Sequence, residues 1–169
     1  MIIGITGYAR SGKDEAAKAL VGKGYTRVAF ADDLKQQVQV MLRSIGVVVD
    51  LQKSDLDKAF WRDLLVYWGK KRRETNPSYW IDRIRLLNRT ALNGDCVISD
   101  VRYPNEAAWV LKRGGKLIFI ERAGANSANF EEAKSIAELK AEFAEDLMII
   151  KNNSTIEHLH ESVLESCVR

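Results

Sequence analysis

The sequence predicts an α/β fold, a three-layer sandwich in which a five-stranded parallel sheet carries helices on both faces. Three observations lead there. Apolar strand-like runs and helix-forming runs alternate five times along 169 residues, with connections too long for hairpins. The first apolar run, Ile2 to Thr6, breaks at Gly7, and a helix-forming run resumes at Lys13, so that Gly7, Gly12 and Lys13 keep the spacing G-x-x-x-x-G-K. Size and composition, 46% hydrophobic and 29% charged, suit one globular domain able to bury about two-thirds of its unfolded surface.

Taken in order, the first helix is expected from about Lys13 to Val21, stopped by Gly22 and Gly24. Tyr25 to Ala31 reads as a short strand ending at Asp32-Asp33, either of which is placed to cap a helix through about Leu42, with Gly46 as its stop. Val47 to Val49 is too short to classify. Ser54-x-x-Asp57 is a capping box opening a helix to about Trp68. Leu56, Phe60, Leu64 and Tyr67 share one face of it and are expected in the core, with Arg62 on the other side. Asn76-Pro77 offers a cap and a first-turn proline for a helix through Leu92, closed by Asn93-Gly94.

Cys96 to Ser99 is a compact strand ending in Asp100, and Pro104 starts a helix that Gly114-Gly115 ends. Leu117 to Ile120 and Leu147 to Ile150 complete the strands. Between them Arg122 to about Glu145 is rich in Ala, Glu and Lys with weak periodicity, a surface helix pair or a mobile cover. Ser154-x-x-Glu157 is expected to cap a terminal helix. No repeat or linker interrupts the chain, so one domain over 1–169 is expected, with residues 122–145 as a lid insertion.

The glycine spacing carries the chemistry. Backbone N–H groups that curl around phosphate oxygens need φ > 0, which glycine tolerates. The helix behind them points its positive end at the same oxygens, and Lys13 adds a full charge. Asp14 stands where Ser or Thr usually offers a hydroxyl to Mg²⁺. A carboxylate is also a hard oxygen ligand, but without metal it would repel a polyphosphate, so the site is expected to depend on metal. Ligands of parallel sheets sit at the carboxyl ends of the strands, and Gly7, Asp32, Asp100 and Arg122 all follow strands there. Asp100 is placed to hold Mg²⁺ through water. Arg10, Arg62, Arg102 and Arg122 are candidates for gripping phosphates, Arg102 above all because it lies two residues from Asp100.

A net charge of +3 is too mild to imply nucleic acid and suits small anions equally well. Cys96 and Cys167 predict buried thiols rather than a disulfide framework. No signal peptide and no bilayer-length apolar run is seen, and a cytoplasmic location is expected. The run Lys70-Lys71-Arg72-Arg73 reads as a solvated helix end, and His158 and His160 are assigned no role.

At Ser-Gly-Lys-Asp (11–14), Phe-Ala-Asp-Asp-Leu-Lys (30–35), Arg-Asp-Leu-Leu (62–65), Ile-Ser-Asp-Val-Arg-Tyr-Pro-Asn-Glu (98–106) and the tail from Asp146 to Leu159, the chain resembles bacteriophage-type deoxynucleoside monophosphate kinases. The resemblance implies a P-loop nucleoside-monophosphate-kinase-like fold moving the γ-phosphate of ATP to a deoxynucleoside monophosphate. It places Gly7, Arg10, Ser11, Gly12 and Lys13 on ATP, with Asn153 near the adenine and Asp14 and Asp100 near Mg²⁺. Asp32, Lys35, Arg62 and Arg102 would line the acceptor side, and Arg122 would begin a lid; Lys13, Arg102 and Arg122 form the catalytic set. Trp80 is put in the acceptor set as the aromatic candidate for the base, beside Trp61 and Tyr103. The sequence departs from the family at Glu15, where members often carry Thr, and at Asp33, where they often carry Pro. Two other readings stay open: another small acceptor, such as dephospho-coenzyme A or a hydroxymethylated base with Asp32 as general base, or a nucleotide-binding module without catalysis. A homodimer is also left open.

Overall fold

The structure, a computed structural model, describes residues 1–167. The strands are β1 (Ile2–Thr6), β2 (Thr26–Val28), β3 (Cys96–Ile98), β4 (Lys116–Glu121) and β5 (Leu147–Lys151). They form one sheet in the order β2-β3-β1-β4-β5 with every pair parallel, as the sequence predicts. The chain divides into two compact units, one of Met1–Val28 with Asn88–Arg169 and one of Ala29–Leu87.

The first unit holds the whole sheet, with α1 (Lys13–Val21), α6 (Arg89–Asn93), α7 (Pro104–Lys112), α8 (Phe130–Glu142) and α9 (Ile156–Cys167). Strand side chains alternate between the two faces. Ile3, Ile5, Ile118 and Ile120 pack against Ala16, Leu20, Leu159 and Val163 of α1 and α9. Gly4 faces the other way, where an added Cβ would meet Leu117, Val101 and Val110 within 3.3 Å, so α7 lies close to that side. Burial on both faces is why these strands read as unbroken apolar runs. Cys96 and Cys167 are buried and free, as expected, and burial pushes the Cys167 thiol up to about 11.

The segment 122–145 contains one helix rather than a pair. Asn129 caps α8 by accepting the Glu132 N–H at 2.9 Å, and Glu132, Ser135, Ile136 and Leu139 form a buried stripe against α7. Two of those four positions are polar, which hid the periodicity. α9 is capped by Thr155, not Ser154: the Thr155 hydroxyl accepts from the His158 N–H at 3.3 Å.

The second unit is helical, with α2 (Phe30–Ser44), α3 (Asp55–Phe60), α4 (Arg62–Thr75) and α5 (Tyr79–Leu87). β2 is shorter than expected, and α2 begins at Phe30 with Ala29 in the cap position. Asp32 and Asp33 therefore lie inside the first turn and are not caps; their charge still complements the helix dipole. Ser54 does cap α3, accepting from the Asp57 N–H at 3.1 Å. The helix then breaks at Trp61 and restarts through Thr75. The expected core stripe is not buried as a unit: α3 buries no residue, with Leu56 84% and Phe60 80% exposed, and beyond the break Tyr67 is 56% exposed. The buried side is Trp61, Leu64, Leu65 and Trp68, packed with Val47 and Val49 on Val38, Leu42 and Leu51.

The expected helix from Asn76 to Leu92 is likewise divided, into α5 and α6. The Asn76 side chain accepts from the Ser78 N–H at 2.9 Å in a turn before α5. The basic run 70–73 leads into the last turn of α4, which Arg72 and Arg73 occupy, as expected. Its Arg72 is not simply solvated: the guanidinium stacks 4.4 Å from the Trp68 ring and 5.0 Å from Tyr79.

Candidate functional site

The loop from Gly7 to Gly12 joins the carboxyl end of β1 to the amino end of α1. Gly7 has φ +143° and Gly12 φ +103°, conformations that admit glycine without strain. Space forbids other residues as well. A Cβ on Gly7 would lie 2.6 Å from the Ile120 carbonyl oxygen, and one on Gly12 would run into the Asn152 amide. Arg10, with φ 61°, is the non-glycine residue of positive φ among the described residues. Such strain persists where the surroundings fix it, often at binding sites.

Lys13 opens α1, and its ammonium donates to the carbonyl oxygens of Gly7 at 2.8 Å and Tyr8 at 2.6 Å. Burial is the chief reason its pKa drops to about 8, and the Arg102 charge adds to the fall. Glu132, Asp14 and Asp100 act the other way, so five charged groups surround one point at the sheet's rim. Asp14 is exposed in the first turn of α1. Asp100 follows β3 in a segment fastened to both neighbouring strands, through Ser99 N–H to Val28 O at 3.1 Å and Val101 N–H to Ile5 O at 3.0 Å.

Arg102 is held twice. Its backbone N–H, with that of Tyr103, donates to a carboxylate oxygen of Glu106 at 2.9 and 3.2 Å. Its guanidinium lies 3.6 Å from Glu132. Both acids are buried, Glu106 to 2% and Glu132 to 5% exposure. The sequence reading assigned neither a role. A signal existed: each acid stands three residues after the N-cap of its helix, where a carboxylate commonly folds back on preceding amides.

Three buried hydroxyls at this rim, of Thr6, Ser11 and Ser99, have no hydrogen-bond partner within the protein. Buried polar groups are rarely left so, and the hydroxyls fit a site that takes a polar ligand. Asp14 and Asp100 fit Mg²⁺. Among the described residues no three His, Cys, Asp or Glu side chains converge, and Mg²⁺ ordinarily takes one or two carboxylates and completes its shell with phosphate and water.

Arg122 follows β4 and is exposed. The next residue is tied down: Ala123 N–H donates to the Asn153 side-chain oxygen at 2.8 Å. Asn152, which the sequence reading passed over, bonds the Glu121 carbonyl through its backbone N–H at 2.7 Å and the Ser11 carbonyl through its side chain at 2.8 Å. Glu15 is paired with Lys18 at 2.6 Å and lies 3.8 Å from His160, which gives that histidine a neighbour on α1.

The remaining candidates belong to the second unit. Asp32, in the first turn of α2, and Lys35, one turn on, form an ion pair at 3.8 Å. Arg62 is exposed at the start of α4. Trp80 is buried, its indole N–H donating to the Gly69 carbonyl at 3.2 Å, a packing position joining α5 to α4. Asp33 is braced by Arg83, at 2.7 and 2.9 Å, and by Gln37 at 2.6 Å. Gln37 in turn accepts from Trp68 at 3.1 Å and Tyr79 at 3.2 Å. The charge that departs from the family pattern is thus spent inside this unit.

An all-parallel sheet with a glycine loop, lysine and helix behind its first strand is the architecture of phosphate-loop proteins. No family model matches the chain. It is similar to a curated protein of Acanthamoeba polyphaga mimivirus named "Putative deoxynucleotide monophosphate kinase", 29% identical over 189 aligned positions covering 99% of this chain and 96% of that protein. Among solved structures it resembles a gluconokinase from Sinorhizobium meliloti 1021, with TM-score 0.51 and 12% identity over 96% of this chain and 89% of that one. It also resembles the dephospho-CoA kinase of Campylobacter jejuni, with TM-score 0.50 and 13% identity over 98% and 94%. Those two likenesses establish the fold. No helix among the described residues is long and apolar enough to cross a membrane.

Proposed function

We propose that the chain is an ATP-dependent kinase that transfers the γ-phosphate of ATP to a deoxynucleoside monophosphate, giving the diphosphate and ADP. The observation that carries this reading is the convergence of Lys13, Asp14, Asp100 and Arg102 on the glycine loop at the sheet's carboxyl edge. The near-full-length likeness to a protein named for that activity supports the acceptor class.

The acceptor in such a reaction is a phosphate oxygen, already anionic at neutral pH, so no general base is needed. The difficulty is the repulsion between two anions, and catalysis is chiefly alignment and charge. In this reading the amides from Gly7 to Lys13 hold the donor's phosphates, with Arg10 and Ser11 beside them. Lys13 leaves the carbonyls of Gly7 and Tyr8 for a phosphate oxygen. Asp14 and Asp100 would hold Mg²⁺, which supplies neutralising charge when bound. Arg102 grips the phosphate in transit, steadied by Glu106 and Glu132, and Arg122 opens the cover segment. Asp32, Lys35 and Arg62 serve the acceptor. Asn153 serves near the adenine with its amide nitrogen and the remaining lone pair of its oxygen, the other being engaged by the Ala123 N–H.

The test is ADP formation from ATP and Mg²⁺ across a panel of deoxy- and ribonucleoside monophosphates, dephospho-coenzyme A and hydroxymethylated nucleotides. Turnover that requires a deoxynucleoside monophosphate is the expected result. Turnover indifferent to every acceptor contradicts the proposal. An alcohol acceptor whose chemical step is lost in Asp32→Asn would replace it with the general-base reading.

A further inference from the structure

We propose that Asn152 is a positioning residue of the phosphate site: its side-chain amide pins the Ser11 carbonyl and thereby aims the Gly12 N–H into the loop. The inference rests on the phosphate-loop part of the function proposed above.

β4 and β5 pair in register up to Glu121 opposite Lys151. The Asn152 N–H extends that ladder by one bond, to the Glu121 carbonyl at 2.7 Å. Its backbone is therefore fixed at the rim, and the phosphate loop lies within reach of its short side chain. It donates to the Ser11 carbonyl oxygen at 2.8 Å, 141 residues away in sequence. In a trans peptide the C=O and the following N–H point in opposite directions. Drawing the Ser11 oxygen out toward β5 turns the Gly12 N–H inward, where a phosphate oxygen would accept it.

Gly12 shows how close this contact is. An added Cβ would strike the Asn152 amide, and the Leu159 side chain lies 3.5 Å from the same point. Glycine is thus required here by φ and by the neighbour together. The residue type at 152 is also constrained. Aspartate would set an anionic oxygen against a carbonyl oxygen, and alanine would leave that carbonyl without its donor. Asn153, next in the chain, holds Ala123 by the opposite polarity, its side-chain oxygen accepting the Ala123 N–H, so the turn after β5 fastens two loops of the site at once.

The experiment measures equilibrium binding of inorganic tripolyphosphate and of ATP, each with Mg²⁺, to the full chain and to Asn152→Ala and Asn152→Asp, with thermal melts as a check on folding. Both ligands should weaken by a similar factor, roughly five- to tenfold in Asn152→Ala, the effect of losing one hydrogen bond that orders the loop. Asn152→Asp should be no better. Unchanged tripolyphosphate affinity in Asn152→Ala overturns the proposal, and if ATP alone weakens, the residue reads the base instead. A measurement on the unaltered protein stands apart from the variants' folding: the Gly12 amide resonance should shift on adding tripolyphosphate, and a silent Gly12 among responding loop amides overturns the proposal as well. Tripolyphosphate binding with these responses but without transfer to any acceptor would remove the kinase reading and leave this one standing.

Discussion

Lys13 illustrates how much of this site is decided atom by atom. Burial and Arg102 lower its pKa to about 8, so the free protein holds a lysine that loses its proton in the mildly alkaline range. In the proposed function polyphosphate binds the protonated form, so its affinity for the free protein should be full below that value and fall as pH rises through about 8. Titration of tripolyphosphate binding from pH 6 to 10 checks this, and a flat profile would contradict it. Lys13→Ala should lower phosphoryl transfer by at least about a hundredfold in steady-state assays, the scale for removing one preorganised donor of charge stabilisation. Gly7→Ala should destabilise the fold by about 2 kcal/mol, since it adds a strained φ to a clash with the Ile120 carbonyl; urea unfolding reads this directly. Gly7, Gly12 and Lys13 were legible because their spacing is local. Glu106, Glu132 and Asn152 were not, because each matters through a partner that only folding brings near.

At the scale of elements, what the sequence revealed followed from periodicity. β1, β3 and β4 are buried along most of their length and read as apolar runs; the partly exposed edge strands β2 and β5 were found as well, with β2 drawn too long. Helices were misread where the phase changes without a glycine or proline to announce it, as at Trp61, and where a buried stripe contains polar side chains, as on α8. The brace between α2 and α5 is a further case. Burial alone would raise the Asp33 pKa, but the bonds from Arg83 and Gln37 outweigh it and hold the carboxyl below its ordinary value. A depressed carboxyl stabilises the fold above its unfolded pKa, about 4, and that contribution disappears as pH falls through the folded value. Asp33→Asn should therefore reduce stability at neutral pH and flatten its acid limb; melts between pH 2 and 7 that leave wild type and variant parallel would contradict the brace. Glu106→Ala leaves the Arg102 and Tyr103 amides without their acceptor. It should cost about 1–3 kcal/mol and lower transfer through the displaced Arg102; kinetics and a melt on the same sample separate the two effects.

At the scale of the whole molecule, the sheet could be foreseen because a parallel α/β chain announces itself by alternation, and its rim because ligands of such sheets gather there. The division into two compact units could not, since no linker or change of composition marks Ala29 or Leu87. The residues assigned to ATP fall in the sheet-bearing unit, while Asp32, Lys35, Arg62 and Trp80 fall in the helical one. Trp80 shows the limit of choosing by residue type: an aromatic side chain suits a base, but this one is buried as packing. The proposed function stands or falls with the loop from Gly7 to Lys13 as the holder of the donor's phosphates. A crystal structure with ATP and Mg²⁺ decides it: the β- and γ-phosphates are expected on the loop amides with the Lys13 ammonium turned onto them, whereas a nucleotide bound elsewhere, with Lys13 still on the carbonyls of Gly7 and Tyr8, would refute it.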